Sequence, residues 1–319
     1  MDPAPHLDAL LAPLRADVVS GAAVVARMAA EVLRRAAGRV PAGSPAELRS
    51  AVADVGIRVM EAQPAMAPLV SLVRDVLDAL DGCATVEEGR EAVRGACDTF
   101  RGGLETRARL VAARAGALLP SEGDILTLSS SSTVRAALLH DAHARSGRVI
   151  VLESRPMQEG RLLATALARA GVSVVMAVDA AAEALVPGSV MVLLGADSIG
   201  DAGMVNKIGS LTLVEAARRH GVPVVVATDE TKVLPPGFPQ PLGHDRPADE
   251  VWRAPANVRV WNRYFEAVPL ASIESVVTET ATMRPEEIEA HRAGIRLSAE
   301  IRAWAESRRG HGPRTSEVV

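Results

Sequence analysis

The spacing of apolar residues changes character about a third of the way along the chain. From Val18 to Ala36 apolar positions recur at helical intervals, with Arg27, Glu31, Arg34 and Arg35 between them. The same period predicts helices over 45–62 and 66–80, separated from the first by Pro41 and Gly43 and closed by Asp81-Gly82. Residues 87–118 predict one long helix, with a break expected near Gly102-Gly103. Beyond Pro120 the runs become short and continuously apolar. Segments 125–128, 148–153, 172–178, 190–195 and 222–227 read as strands, and 133–146, 158–170, 180–185 and 206–220 as helices. Strands without a polar face, alternating with helices, mark a parallel sheet covered on both sides.

The expected fold is therefore α/β. A helical N-terminal domain (1–119) precedes a Rossmann-like ligand-binding domain with a mostly parallel sheet (120–284), then a C-terminal helix and tail (285–319). The Pro- and Gly-rich stretch 234–247 predicts an irregular loop, 258–261 a further strand and 262–265 a turn. Residues 285–308 predict one polar-faced helix, and disorder is expected over the last ten residues. No solenoid-type repeat is present.

Composition narrows the function. The 319 residues are 48% hydrophobic, enough for a full core, and the 2% aromatic content leaves Ala, Val and Leu to build it. So few aromatics cannot supply a stacking platform for single-stranded nucleic acid, and a net charge of −4 gives no basic footprint. No nucleic-acid partner is expected. Cys83 and Cys97 form no C-x-x-C pair and read as free buried thiols rather than a disulfide. The N-terminus lacks a basic region followed by an apolar stretch, and the apolar runs are too short for a bilayer. A cytoplasmic protein without a membrane partner is the expectation.

In an open α/β sheet, ligands bind beyond the carboxyl ends of the strands. The polar clusters of the C-terminal half fall in such loops. Ser129 to Thr133 joins a strand to a helix, where hydroxyls and free amides suit a phosphate, or where serine simply caps the helix. Glu153-Ser154-Arg155-Pro156, with Glu159, Gly160 and Arg161, can anchor sugar hydroxyls or form a structural ion pair. Asp197 ends an apolar strand and can move protons, while Asn206-Lys207 is expected to open the next helix and add charge for phosphate. The duller reading is an Asp cap and a solvated lysine. Lys232, in the loop after another strand, can reach a second phosphate or lie in solvent. No G-x-x-x-x-G-K-[ST], G-x-G-x-x-G or G-x-S-x-G is present, so neither ATP, NAD nor a serine elbow is implied, and no cofactor or metal is expected. His140 and His143 read as surface residues.

The loop sequences resemble a known family. Ile125-Leu126-Thr127 with Ser131-Ser132-Thr133-Val134 carries the likeness, as do Glu153-Ser154-Arg155-Pro156 and Gly160-Arg161. Gly195-Ala196-Asp197, Val205-Asn206-Lys207-Ile208-Gly209, and Asn262, Phe265, Pro269, Ile273 and Thr278-Glu279 continue it. The family unites the α, β and δ subunits of translation initiation factor 2B with methylthioribose-1-phosphate isomerase and ribose-1,5-bisphosphate isomerase. The pattern is nearest the bisphosphate isomerase and archaeal initiation-factor-like branch, because Ser131-Ser132-Thr133 and Lys232 resemble its second phosphate site. The resemblance spans 18–279. It implies a helical domain, a Rossmann-like domain and homodimers or larger homo-oligomers.

The resemblance also implies site residues. Asp197 takes the position of the catalytic aspartate and Ser129 that of the catalytic cysteine. Asn206 and Lys207 take the phosphate-binding positions, Glu159 that of a glutamine or glutamate, and Arg155 joins them. In the N-terminal domain Gly21 and Ala22 match a phosphate motif whose arginine is here Ser20, and Gln63 replaces a second arginine. A hydroxyl is a far weaker acid than a thiol. Each lost arginine removes about 1.5–3 kcal/mol of charged hydrogen bonding. Two functions follow as expectations. One is a protein that binds a phosphorylated ribose or nucleotide as a sensor or regulatory subunit, with isomerase activity weakened or lost. The other is an active aldose–ketose isomerase on a substrate such as ribose 1,5-bisphosphate.

Overall fold

The computed structural model describes residues 3–17, 21–140, 142, 145–242 and 245–308. In chain order the helices α1 (Pro3–Ala16), α2 (Ala22–Ala37), α3 (Pro45–Ala62), α4 (Pro68–Asp78) and α5 (Val86–Leu118) come first. Then follow β1 (Asp124–Leu128), α6 (Ser132–Leu139), β2 (Val149–Leu152), α7 (Gly160–Arg169), β3 (Val174–Ala177), α8 (Ala182–Leu185) and β4 (Ser189–Leu194). Next are β5 (Ser198–Gly200), β6 (Gly203–Lys207), α9 (Ser210–His220), β7 (Val224–Ala227) and β8 (Phe265–Val268). The chain ends with β9 (Ser275–Val277), β10 (Thr282–Met283), α10 (Pro285–Ala293) and α11 (Ala299–Arg308).

These elements form two compact units, one of Met1–Thr106, Thr231–Pro241 and Gly294–Val319, the other of Arg107–Glu230 and Leu242–Ala293. The grouping differs from three consecutive segments. Helix α5 contributes to both units, and α11 belongs with the N-terminal helices.

The helical unit is held by small and aliphatic side chains, as the composition requires. Leu33, Leu48, Val52, Val59, Leu72, Val76, Val93 and Cys97 lie in one cluster with Ile301 of α11. Both cysteines are free, and burial pushes the Cys97 thiol up to about 12. Helix α1 was not expected, and it carries Pro13 in its interior. Leu7, Leu10, Leu11 and Leu14 nevertheless share one face, and Leu11 and Leu14 are fully buried. Ser44 caps α3, accepting from the Glu47 amide at 3.3 Å, while the Glu47 carboxylate accepts from the Gly43 amide at 2.7 Å. Helix α5 runs unbroken through Gly102-Gly103, correcting the expected break.

The other unit carries a sheet ordered β10-β9-β7-β4-β1-β2-β3 among the described residues. Its pairings are parallel except β10 with β9. Strands β1, β2, β4 and β7 are buried on both faces. Ile125, Val149, Val151, Leu193 and Val225 pack with Val134, Leu138, Leu163 and Leu167 of α6 and α7 and with Val111 and Ala115 of α5. Chain progression runs from β1 through β2 to β3 on one side and through β4 to β7 and β9 on the other. The order therefore reverses between β1 and β4, where an open α/β sheet leaves a crevice at its carboxyl edge.

A second, antiparallel sheet, β5-β6-β8, corrects the sequence reading. Asn206 and Lys207 do not open a helix. They end β6, opposite Glu266 and Phe265 of β8. Helix α9 starts only after Gly209, whose φ of 98° stops the strand. Residues 258–261 form no strand, and Val258 and Trp261 are exposed. Residues 285–308 form two helices, α10 and α11, separated at Gly294. His143, the expected disordered tail (310–319) and the start of the first predicted helix at Val18 lie outside the described residues.

Two predictions follow from these contacts. Arg49 donates from Nε to Glu300 Oε1 at 2.7 Å, and this bond holds the Glu300 carboxyl at about 2. Glu31 is held at about 2 in the same way, chiefly by Arg34. Folded values below the ordinary carboxylate range give stability that is full above about pH 4.5 and is lost as pH falls toward 2. The melting-temperature gap between wild type and Glu300→Gln is expected to be widest at neutral pH and to close across that window. Second, a Cβ on Gly160 would lie 2.0 Å from the Leu152 carbonyl oxygen. Gly160→Ala is expected to lower the urea-unfolding free energy by about 3 kcal/mol.

Candidate functional site

Three tethers draw the loops at the carboxyl edge together. The Ser129 amide, after β1, donates to Ser154 Oγ, after β2, at 2.7 Å. A Cβ on Gly195, after β4, would lie 2.6 Å from Ser131 Oγ, so only glycine lets this loop approach the β1–α6 turn. The Lys207 ammonium, at the end of β6, meets Glu159 Oε1, ahead of α7, at 2.5 Å. Asp197 begins the β5–β6 hairpin, its amide donating to the Val205 carbonyl at 2.8 Å.

The backbone is strained at this edge. Ser129, Ser154 and Gln158 have φ values of 72°, 66° and 58°, in the left-handed region that non-glycine residues rarely occupy. Each costs on the order of 1–3 kcal/mol and persists only where its surroundings fix it. Asp179 does much of the fixing. Its two carboxylate oxygens accept from the Ser154 and Arg155 amides, both at 2.7 Å. Ser154 Oγ in turn donates to the Leu152 carbonyl at 3.2 Å.

Lys207 is 3% exposed. Its partner Glu159 is half-buried, with Oε2 buried and lacking a hydrogen-bond partner. The Tyr264 ring lies beside the ammonium, with Nζ 4.4 Å from its centroid. The Tyr264 hydroxyl donates to Glu250 Oε2 at 2.7 Å, and burial, then this carboxylate, pushes its pKa up. The Asn206 amide nitrogen donates to Ser210 Oγ at 2.9 Å, and Ser210 Oγ donates to the Lys207 carbonyl at 2.6 Å. This fixes the turn from β6 into α9. Glu266 Oε1 accepts from the Leu211 amide at 2.8 Å at the start of α9. Burial, the larger effect, raises its pKa against the backbone hydrogen bonds that lower it.

Ser129, Ser131, Ser132, Thr133, Arg155, Glu159, Asp197, Asn206 and Lys207 thus all lie on the sheet-bearing unit. Their detailed roles differ from one another. Ser131 caps α6, accepting from the Val134 amide at 3.3 Å, as the duller reading of that segment had it. Thr133 is buried in the first turn and Ser132 is exposed. Arg155 is exposed and donates to the Val251 carbonyl at 3.1 Å. Glu153 pairs with Arg161 only loosely, at 3.9 Å. Gly21, Ala22, Gln63 and Lys232 belong to the helical unit. Gly21 and Ala22 start α2, and Ser20 lies outside the described residues. Gln63 Nε2 donates to the carbonyls of Leu14 and Asp17, both at 2.7 Å.

Sequence reasoning missed Asp179, Tyr264, Glu250 and Glu266. The rule of the carboxyl edge pointed to Asp179, which follows β3. Tyr264 is the one tyrosine in the chain, a signal of another kind. His140 is half-buried and packs its ring on Gly116 of α5 rather than lying free on the surface. A cavity of about 270 Å³ lies away from these loops, at the amino edge beside Val224 and Glu274. Among the described residues no cluster of His, Cys, Asp and Glu is arranged to hold a metal ion, and no helix is long and apolar enough to cross a membrane.

Comparison with known proteins agrees with the fold. The chain is 30% identical to a ribose 1,5-bisphosphate isomerase of Haloferax volcanii, over 85% of this chain and 86% of that one. It is 29% identical to a methylthioribose-1-phosphate isomerase of Gemmatimonas aurantiaca, over 88% and 86%. Among solved structures it resembles the translation initiation factor eIF-2B of Pyrococcus horikoshii, with a TM-score of 0.73, 24% identity, and 88% and 97% coverage. It also resembles the tetrameric eIF2B-beta2-delta2 complex of C. thermophilum, with a TM-score of 0.74, 20% identity, and 92% and 95% coverage. Residues 18–285 match the Initiation factor 2 subunit family, and with the reversed strand order and loop motifs on the same residues, the chain belongs to that family.

Proposed function

We propose that this protein binds a phosphorylated ribose or nucleotide at the carboxyl edge of its sheet, as a sensor or regulatory protein whose isomerase activity is weakened or lost. It would act in the cytoplasm as a homodimer or larger homo-oligomer. The observation that carries the binding reading is the Lys207–Glu159 pair, its lysine buried, which joins the end of β6 to the loop ahead of α7. A lysine withdrawn from water needs compensation, and one carboxylate oxygen supplies it. The other Glu159 oxygen, buried and without a partner, suits a sugar hydroxyl, and the ammonium has further N–H groups for oxygen ligands. Serine hydroxyls around 129–132 and the Asp197 carboxylate would complete the polar lining.

The loss of catalysis is supported by Ser129, which takes the position where the resemblance implies a catalytic cysteine. Its hydroxyl is too weak an acid to protonate a ring oxygen readily. Gln63 adds to this, because its amide is spent on two backbone carbonyls where the resemblance implies a phosphate-binding arginine. The second reading, an active aldose–ketose isomerase, is favoured by Asp197. It is retained at the strand end beside the reversal point, and relatives of this chain are named as isomerases. In that reading Asp197 moves the proton between carbons and Ser129 donates a hydrogen bond to the developing enediolate.

Incubation with ribose 1,5-bisphosphate, methylthioribose 1-phosphate and AMP separates the two. Ligand that binds the folded state alone raises the melting temperature, by about 2.7 kcal/mol of stabilisation at a hundredfold excess over Kd. The expected result is stabilisation by at least one ester with no ketose formed. Ketose formation that disappears in Asp197→Asn would establish the isomerase instead, and no stabilisation by any of the three would reject the site. Glu159→Ala is expected to abolish the stabilisation. Ser129→Cys is expected to gain turnover, read as ketose release under the same conditions.

A further inference from the structure

Lys207 has a second support besides Glu159, and it differs in kind. The Tyr264 ring sits 4.4 Å from Nζ, and the Arg246 guanidinium carbon lies 4.7 Å from the same centroid. The ring is fastened from several directions. Its hydroxyl donates to Glu250 Oε2 at 2.7 Å, and that oxygen also accepts from Asn262 Nδ2 at 2.8 Å. Asn262 Nδ2 reaches the Pro247 carbonyl at 2.8 Å as well. The Tyr264 carbonyl accepts from the Ile208 amide at 2.7 Å, tying the ring's backbone to the residue after Lys207.

A lysine stem is flexible, and a carboxylate that holds its ammonium consumes an N–H and competes with any incoming oxygen ligand. An aromatic face attracts the same charge through its quadrupole without taking up a donor in a directed hydrogen bond. Resting on the ligand site proposed above, we infer that Tyr264 is a positioning residue. Locked by Glu250 and Asn262, its ring sets the Lys207 ammonium in place while leaving N–H donors for the oxygens of a phosphorylated sugar. Glu250 and Asn262 act through Tyr264 and touch no ligand.

The single tyrosine makes the idea directly measurable. Protein grown with 3-fluorotyrosine carries its ring fluorine at position 264 alone, giving one fluorine-19 resonance environment. Lys207→Met is expected to shift that resonance in the ligand-free protein, and an unmoved resonance would overturn the contact whatever the protein binds. In titrations with ribose 1,5-bisphosphate, methylthioribose 1-phosphate and AMP, Tyr264→Leu is expected to raise Kd by about 10-fold. Tyr264→Phe keeps the aromatic face but loses the hydroxyl's bond to Glu250, and its Kd is expected to fall between those of wild type and Tyr264→Leu, close to that of Glu250→Ala. Should Tyr264→Leu not fold, Glu250→Ala frees the ring without removing it and is expected to weaken binding several-fold. Wild-type affinity in the folded variants, with binding lost in Lys207→Met, would overturn the inference and leave the site standing. Failure of the wild type to bind any ester would remove the site, while the fluorine comparison would still decide whether Tyr264 holds Lys207.

Discussion

A positive charge held almost entirely out of water organises the carboxyl edge of this sheet. A buried ammonium needs a partner to offset its lost hydration, and Glu159, from a loop 48 residues earlier, meets Lys207. That one requirement fixes the end of β6 against the start of α7. Since β6 belongs to the small antiparallel sheet and α7 follows a strand of the large one, the pair also ties the two sheets together.

The strain around this point is localised and has identifiable supports. Three non-glycine residues occupy left-handed backbone conformations in the loops after β1 and β2. The Ser129 amide is held by the Ser154 hydroxyl and the Ser154 amide by the Asp179 carboxylate, while the Gln158 amide donates to the Ser154 carbonyl at 2.9 Å, so each amide that the turns leave outside regular structure is met. Gly160 and Gly195 permit approaches that a methyl group would block. The result is a set of loops whose positions are determined by hydrogen bonds to backbone rather than by apolar packing. Such an arrangement suits a site that must present polar atoms in fixed directions.

The large sheet was legible because parallel strands buried on both faces leave unmistakable apolar runs, as in Val149-Ile150-Val151-Leu152. The small sheet was not. Strand β6 ends in Asn206-Lys207, and β8 contains Glu266, so neither shows the apolar run or clean alternation by which strands are recognised. Helix periodicity from α9 extended backwards over 206–209 until the left-handed Gly209 was seen to interrupt it. Helix α1 was not read from the sequence, and its leucine spacing takes its meaning from the burial of Leu11 and Leu14. The candidate residues themselves were mostly legible, because strand ends in an α/β chain announce where polar loops will gather. Their supports were not, for Asp179, Glu250 and Tyr264 act across distances that no local pattern records.

By itself, then, the sequence determined the α/β class, the order of the parallel strands' apolar runs, and the polar loops from Ser129 to Lys207 with their likeness to the initiation factor 2 family. These depend on side-chain periodicity and on motifs contiguous in the chain. Only the tertiary structure decided that Lys207 ends a strand, that its charge is met by Glu159 and Tyr264, that Gln63 spends its amide on backbone carbonyls, and that Asp179 holds the strained turn. Each of those outcomes depends on which distant groups are brought within hydrogen-bonding distance once water is excluded, and that is a property of packing rather than of order along the chain.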